Sequence, residues 1–194
     1  MCGRFTLTEL DPDLISETFS LPGVPDLPPR YNIAPTQPVA TVAHPHDSDN
    51  NQFIVMRWGL IPSWAKDPSI GNKLINARGE TVHEKPSFRS ALRYRRCLIL
   101  ADGFYEWQKQ GDGPKIPLYI TLTGHRLFAL AGLYEHWTEP ESGETVTTCT
   151  IITTTPNELM ASIHNRMPVI LPREDYAAWL DPAETNAKAV LPLL

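Results

Sequence analysis

An α+β fold, with a β-rich antiparallel core closing toward a barrel or a sandwich and short helices flanking it, follows from three features of the sequence. Apolar runs recur at residues 97–100, 116–122, 127–137 and 146–153, separated by the turn formers Gly111, Gly113, Gly124 and Gly143, which is the pattern of an antiparallel meander. Helical spacing of apolar residues is confined to short stretches. The 194 residues, 42% hydrophobic and 20% charged, match one globular domain spanning 1–194, long enough to bury a core without staples.

The elements follow in chain order. Residues 11–19 read as a short helix, because Leu14, Ile15 and Phe19 share a face and Asp11 and Asp13 suit a helix N-terminus. Seven of the 19 prolines fall between residues 22 and 45, where fixed φ angles and missing N–H groups favour an ordered loop wrapped over the core. Residues 39–43 and 53–58 flank a turn-rich segment at 44–51, as in a hairpin. A helix is expected over 80–95 in spite of Pro86. After the meander, helices are expected at 156–163 and 173–180, with a strand at 167–171 between them.

Several function classes drop out. The longest apolar stretch, 127–134, is interrupted by Gly132 and is far shorter than the ~20 residues of a membrane helix. The N-terminus Met-Cys-Gly-Arg-Phe-Thr-Leu-Thr-Glu has no apolar signal segment, so a cytoplasmic location is expected. Three cysteines, Cys2, Cys97 and Cys149, without CxxC spacing support neither a disulfide framework nor a zinc knuckle. Residues 47–51 resemble the start of a calcium loop, but Gln52 and Trp58 stand where that loop needs Gly and Glu. His44 and His46 lack a third ligand nearby, so no metal and no cofactor are expected, and P-loop, GxSxG and GxGxxG motifs are missing. The net charge of −5 argues against a polyanion partner, yet residues 66–96 carry eight basic and three acidic side chains. That segment suits local contact with a polyanion, or equally a solvated helix face.

Cys2 is the residue with the most specific chemistry. Removal of Met1 would expose an α-amine beside a thiol, a 1,2-aminothiol with reference pKa values of about 7.7–8.0 and about 8.5. Such a pair captures an aldehyde as an imine and then closes a five-membered thiazolidine. Position alone is equally compatible with an ordinary small residue.

Five further blocks follow Met-Cys-Gly-Arg-Phe in order: Arg30-Tyr31-Asn32-Ile33-Ala34-Pro35, Arg57-Trp58-Gly59-Leu60-Ile61-Pro62-Ser63-Trp64, Ile75-Asn76-Ala77-Arg78-Gly79-Glu80-Thr81, Ala101-Asp102-Gly103-Phe104-Tyr105-Glu106-Trp107 and Ile163-His164-Asn165-Arg166-Met167-Pro168. Together they resemble the SOS response-associated peptidase (SRAP) family, the abasic-site processing proteins that crosslink to single-stranded DNA. The resemblance implies a β-rich α+β fold with a basic groove, Cys2 as the nucleophile that forms the thiazolidine, Asn76 as a positioning group, Glu106 as acid/base and His164 as a second proton-transfer group. It also implies single-stranded DNA carrying abasic sites as partner, with Arg4, Asn32, Trp64, Arg78 and Arg166 expected on the DNA; a monomer is expected, although nothing in the sequence fixes the oligomeric state.

These roles suit the chemistry. An abasic deoxyribose is mostly a closed hemiacetal, and opening it moves protons at the ring oxygen and the anomeric hydroxyl, work for Glu106 and His164. Asn76 can hold an amine or a sugar oxygen without changing charge. Guanidinium groups clamp phosphates, and Trp64, on a loop after Pro62, can stack on a base, while Trp58 reads as core. From the residues alone, Glu106 could also face solvent and His164 could be a satisfied core histidine. Two departures stand out: family members with paired tryptophans contrast with Trp64-Ala65 here, and the chain stops at Leu-Pro-Leu-Leu where a Pro-Val-Ser and Val-Asn segment usually follows, which suggests a short member or a truncated chain. The alternatives are an N-terminal-nucleophile glutamine amidotransferase, whose domains also begin Met-Cys-Gly, and a noncatalytic single-strand binding module.

Overall fold

Two sheets share the chain between them in the computed structural model, which describes residues 2–111, 113–124 and 127–194; Met1, whose removal the N-terminal reading expects, lies outside the described residues. The strands are β1 (Arg4–Leu7), β2 (Arg30–Ile33), β3 (Pro38–Ala43), β4 (Gln52–Trp58), β5 (Asn76–Arg78), β6 (Arg96–Ala101), β7 (Gly103–Gln108), β8 (Ile116–Ile120), β9 (Phe128–Thr138), β10 (Thr145–Thr154), β11 (Met167–Pro168) and β12 (Ile170–Leu171). The helices are α1 (Pro12–Phe19), α2 (Arg89–Tyr94), α3 (Glu158–Ala161), α4 (Tyr176–Leu180) and α5 (Ala187–Val190).

The larger sheet runs β11-β10-β4-β3-β6-β9-β12, and an additional antiparallel pairing of β9 with β10 closes its five central strands into a barrel. Barrel, not sandwich, is therefore the core. Side chains on both faces of these strands are fully buried, Val42, Leu98 and Leu100 on one face and Ile99, Leu130 and Ile151 on the other. The second sheet, β2-β1-β7-β8, lies beside it.

The expected hairpin is present, with Val39 opposite Met56 and Ala43 opposite Gln52. The simple meander is not. Strands β8 and β9 sit in different sheets, and β10 pairs in parallel with both β4 and β5 (Cys149 with Trp58, Ile151 with Asn76). The reason is the excursion of residues 59–75, which lifts the chain off β10 after β4 and returns it to the same edge as β5. Gly59 takes φ +123° at the base of this excursion, where a Cβ would stand 2.7 Å from the Gly71 carbonyl oxygen.

The 80–95 helix is also corrected. Only α2 is helical, and residues 80–87 form turns, because Pro86 bars the α region to its predecessor. The proline-rich stretch contains one strand beyond expectation, β2, and the 167–171 strand splits into β11 on β10 and β12 on β9. Helix α1 forms as expected: the Asp11 side chain accepts from the backbone N–H groups of Asp13 and Leu14, and Ile15 and Phe19 are buried. The helix expected over 156–163 shortens to α3, capped by Asn157, and that expected over 173–180 is a 3-10 turn followed by α4. No helix among the described residues is long and apolar enough to cross a membrane.

Candidate active site

Cys2 is placed by the strand that follows it. Strand β1 pairs with β7 (Arg4 opposite Tyr105) and with β2. A buried carboxylate fastens its far end: Asp102, at the corner between β6 and β7, accepts from the Thr6 hydroxyl, the Thr8 N–H, the Thr8 hydroxyl (2.6 Å) and the Glu9 N–H (2.8 Å). This holds β1 against the corner, and Cys2 ends fully buried beside the barrel core.

Two side chains converge on it. Asn76, the first residue of β5, donates from Nδ2 to the Cys2 carbonyl oxygen at 3.0 Å, and its Oδ1 is buried with no hydrogen-bond partner among the described residues. Glu106 lies on β7, where alternation turns Phe104 and Glu106 inward and leaves Tyr105 and Trp107 on the outer face; Glu106 is 2% exposed. The solvent-facing alternative for Glu106 is thereby excluded. Burial pushes the Cys2 thiol up to about 12, the Glu106 charge pushes it the same way, and a hydrogen bond from the Arg4 N–H opposes them. The sulfur is thus a protonated thiol at neutral pH and needs a base to become a nucleophile.

His164 stands on the loop between α3 and β11, half-buried, with its own N–H bonded to the Met160 carbonyl (2.8 Å). Its Nδ1 accepts from the Arg166 backbone N–H at 3.1 Å. The Arg166 guanidinium forms a two-pronged pair with Glu80 (Nη1 to Oε1 2.5 Å, Nη2 to Oε2 2.9 Å) and donates from Nη2 to the Thr153 carbonyl at 2.6 Å. Hydrogen bonding to Arg166 holds the Glu80 carboxyl below its usual range, with Arg78 adding to the effect.

The remaining residues picked out by sequence fall in three places. Arg4 donates to Asn32 Oδ1 (3.0 Å), and both line a shallow cavity of about 280 Å³ with Tyr105, Trp107 and Pro117. Arg78 is exposed, two residues along β5 from Asn76 and hence on its face. Trp64 is 58% exposed on the 59–75 excursion, whose base is tied down by Ile61 N–H to Thr148 Oγ1 (2.9 Å) and by the Trp137 indole N–H to the Ala65 carbonyl (2.7 Å). Trp58 is core, its ring edge-on to Phe5 at 5.2 Å.

The basic segment is not one surface. Arg95 pairs with Glu135 at 2.9 Å, and Arg96, buried, donates to the carbonyls of Leu92, Arg93, Trp179, Asp181 and Glu184. Those two cations serve the fold. A wider open depression of about 580 Å³, lined by Thr8, Glu9, Asp102 and Tyr119 among others, includes none of Cys2, Asn76, Glu106 and His164. Sequence reasoning passed over Asp102 and Glu80; the one signal available for Asp102 was an acid set inside the apolar run from Cys97 to Phe104.

Comparison with known proteins agrees with this geometry. A family model described as SOS response associated peptidase (SRAP) matches residues 1–194. The abasic site processing protein YoqW of Bacillus subtilis is 50% identical over 196 residues, covering 100% of this chain and 86% of the relative. The abasic site processing protein HMCES of Xenopus tropicalis is 37% identical, covering 86% of this chain and 58% of the relative. A crystal structure of a Bacteroides thetaiotaomicron protein superposes with a TM-score of 0.81 at 29% identity, covering 99% of this chain and 86% of that one. The chain belongs to the SOS response associated peptidase (SRAP) family.

Proposed function

We propose that this protein is a sensor and covalent trap of abasic sites in single-stranded DNA, acting through Cys2 once Met1 has been removed. The observation that carries the reading is the burial of Cys2 between Asn76, bonded to its carbonyl, and the carboxylate of Glu106. The relatives that are named as abasic site processing proteins support the substrate class.

In this reading the Cys2 amine adds to the aldehyde carbon of the ring-opened sugar, and the carbinolamine loses water to give an imine. The thiol then adds to the imine carbon, its proton ending on the nitrogen, and a C–S bond closes the thiazolidine. Because the thiol is held protonated, Glu106 is the base that takes its proton and the acid that returns it. His164 assists at a sugar oxygen, and the unpaired Asn76 Oδ1 accepts from the amine. Arg4, Asn32 and Arg78 contact the flanking backbone, with Arg166 paired to Glu80 on the Arg78 side, while Trp64 stacks on a neighbouring base.

The test is incubation of protein beginning at Cys2 with single-stranded DNA bearing one abasic site. A covalent adduct that resists heat and is lost in Cys2→Ala is expected. An equal adduct from Cys2→Ala would overturn the mechanism, and rapid glutamine hydrolysis without any adduct would favour an amidotransferase instead.

A further inference from the structure

We propose that Glu80 is a positioning residue for His164, acting through Arg166 to fix which ring nitrogen carries the proton. This rests on the reading of the Cys2 site given above. Glu80 lies just past β5, which carries Asn76 and Arg78, whereas His164 and Arg166 lie on the loop leading into β11. The Glu80–Arg166 pair is the side-chain clip between these two segments. It is braced at a single point on β10: the Thr153 carbonyl accepts both from Arg166 Nη2 (2.6 Å) and from the Gly79 N–H (2.9 Å). The guanidinium side chain is only 11% exposed, so its direction is set by Glu80 and Thr153.

Holding the guanidinium holds the Arg166 backbone, and that backbone N–H meets His164 Nδ1 at 3.1 Å. An N–H donated to Nδ1 makes that nitrogen the acceptor, so the neutral imidazole carries its proton on Nε2. Protonation at Nδ1 would set two N–H groups face to face. His164 therefore presents Nε2–H as a hydrogen-bond donor, suited to stabilising negative charge on a sugar oxygen as the ring opens. Proton exchange with the thiol and the imine nitrogen is left to Glu106. Glu80 matters to this division of labour without touching substrate, and its exposed side chain, 46% accessible, is not needed by the core.

The experiment has two readouts on wild type, Glu80→Gln and Glu80→Ala. The first is the 15N shifts of the His164 ring in the DNA-free protein. Wild type should show a protonated Nε2 and an unprotonated Nδ1, and both variants should move the two shifts toward each other as the tautomers mix. The second is the rate of adduct formation at saturating abasic DNA, expected to fall about 10- to 100-fold, with affinity for intact single strands changed less than about 3-fold, the effect expected of a weak surface contact. Variants that keep the wild-type ring shifts overturn the proposal, as do variants with normal shifts and an equal loss of rate and affinity. Should Glu80→Ala fail to fold, the near-isosteric Gln variant carries both readouts. If the ring shifts respond to Glu80 but wild type forms no adduct, the reading of the Cys2 site fails and the positioning role stands.

Discussion

Asn76 Nδ2 donates to the backbone carbonyl oxygen of Cys2 at 3.0 Å, joining residues 74 positions apart. The bond ties the start of the chain to β5, a strand of three residues that exists because β10 offers it a parallel edge. An amide in this position fixes the Cys2 main chain, where the amine must face the incoming aldehyde, and leaves the sulfur to a different group. That separation of tasks makes distinct outcomes measurable.

Replacing Cys2 by Ser should leave at most a reversible imine, since a hydroxyl closes the five-membered ring less stably than a thiol. Heat treatment followed by denaturing electrophoresis checks this. Equal heat stability for Cys2→Ser and wild type would remove the thiazolidine from the mechanism.

Glu106→Gln keeps the shape of the buried side chain and deletes the base. Adduct formation should slow by about 100-fold or more, the usual scale for a lost acid/base group, while affinity for intact single-stranded DNA stays near wild type. Single-turnover rates beside equilibrium binding separate the two, and a loss confined to affinity would make Glu106 a structural residue.

The two DNA contacts should differ in salt dependence. Arg78→Ala should make the slope of log affinity against log salt shallower by about 0.7, the value per phosphate on a single strand. Trp64→Ala should weaken binding by about 1–3 kcal/mol with the slope unchanged, because stacking releases few ions. An unchanged slope for Arg78→Ala would place the phosphate contacts elsewhere.

Arg96→Met should destabilise the fold by about 3 kcal/mol or more, because an unsatisfied buried carbonyl costs about 1–3 kcal/mol and Arg96 serves five. Urea unfolding measures it. A midpoint close to wild type would show that water replaces the guanidinium at no cost.

Burial raises all three thiols, Cys2 to about 12 and Cys97 and Cys149 also well upward. In the unfolded chain they ionise near about 8.5, so above that pH the unfolded state binds fewer protons than the native state. Stability contributed by the protonated thiols is thus full below about 8.5 and is lost as pH rises toward the native values. Native protein at pH 8 should resist iodoacetamide at Cys97 and Cys149, and urea should restore reaction. Fast alkylation of these two in folded protein would contradict the burial of their sulfurs.

The blocks around Cys2, Asn76, Glu106 and His164 were legible along the chain because each holds its residue types locally, and the β-rich α+β class was legible because strand alternation and turn residues are local as well, whereas the choice of barrel over sandwich came from the long-range pairing of β9 with β10. Helix α1 could be read for the same reason: its cap, its apolar face and its length lie within nine residues. What tertiary structure decided was every relation across distance. Whether Glu106 faces inward depends on which side of β7 meets the barrel, and no period-two pattern states that for a strand reading Gly-Phe-Tyr-Glu-Trp-Gln. The parallel pairing of β4 and β5 on β10 depends on a Gly59–Gly71 approach that closes a loop. The basic run from 66 to 96 looked uniform in sequence, yet packing consigned Arg95 and Arg96 to internal partners and left Arg78 outside. A charge count carries no information about which carbonyls lack donors, and the fold supplies those guanidinium groups where helix ends and strand corners would otherwise stay unsatisfied.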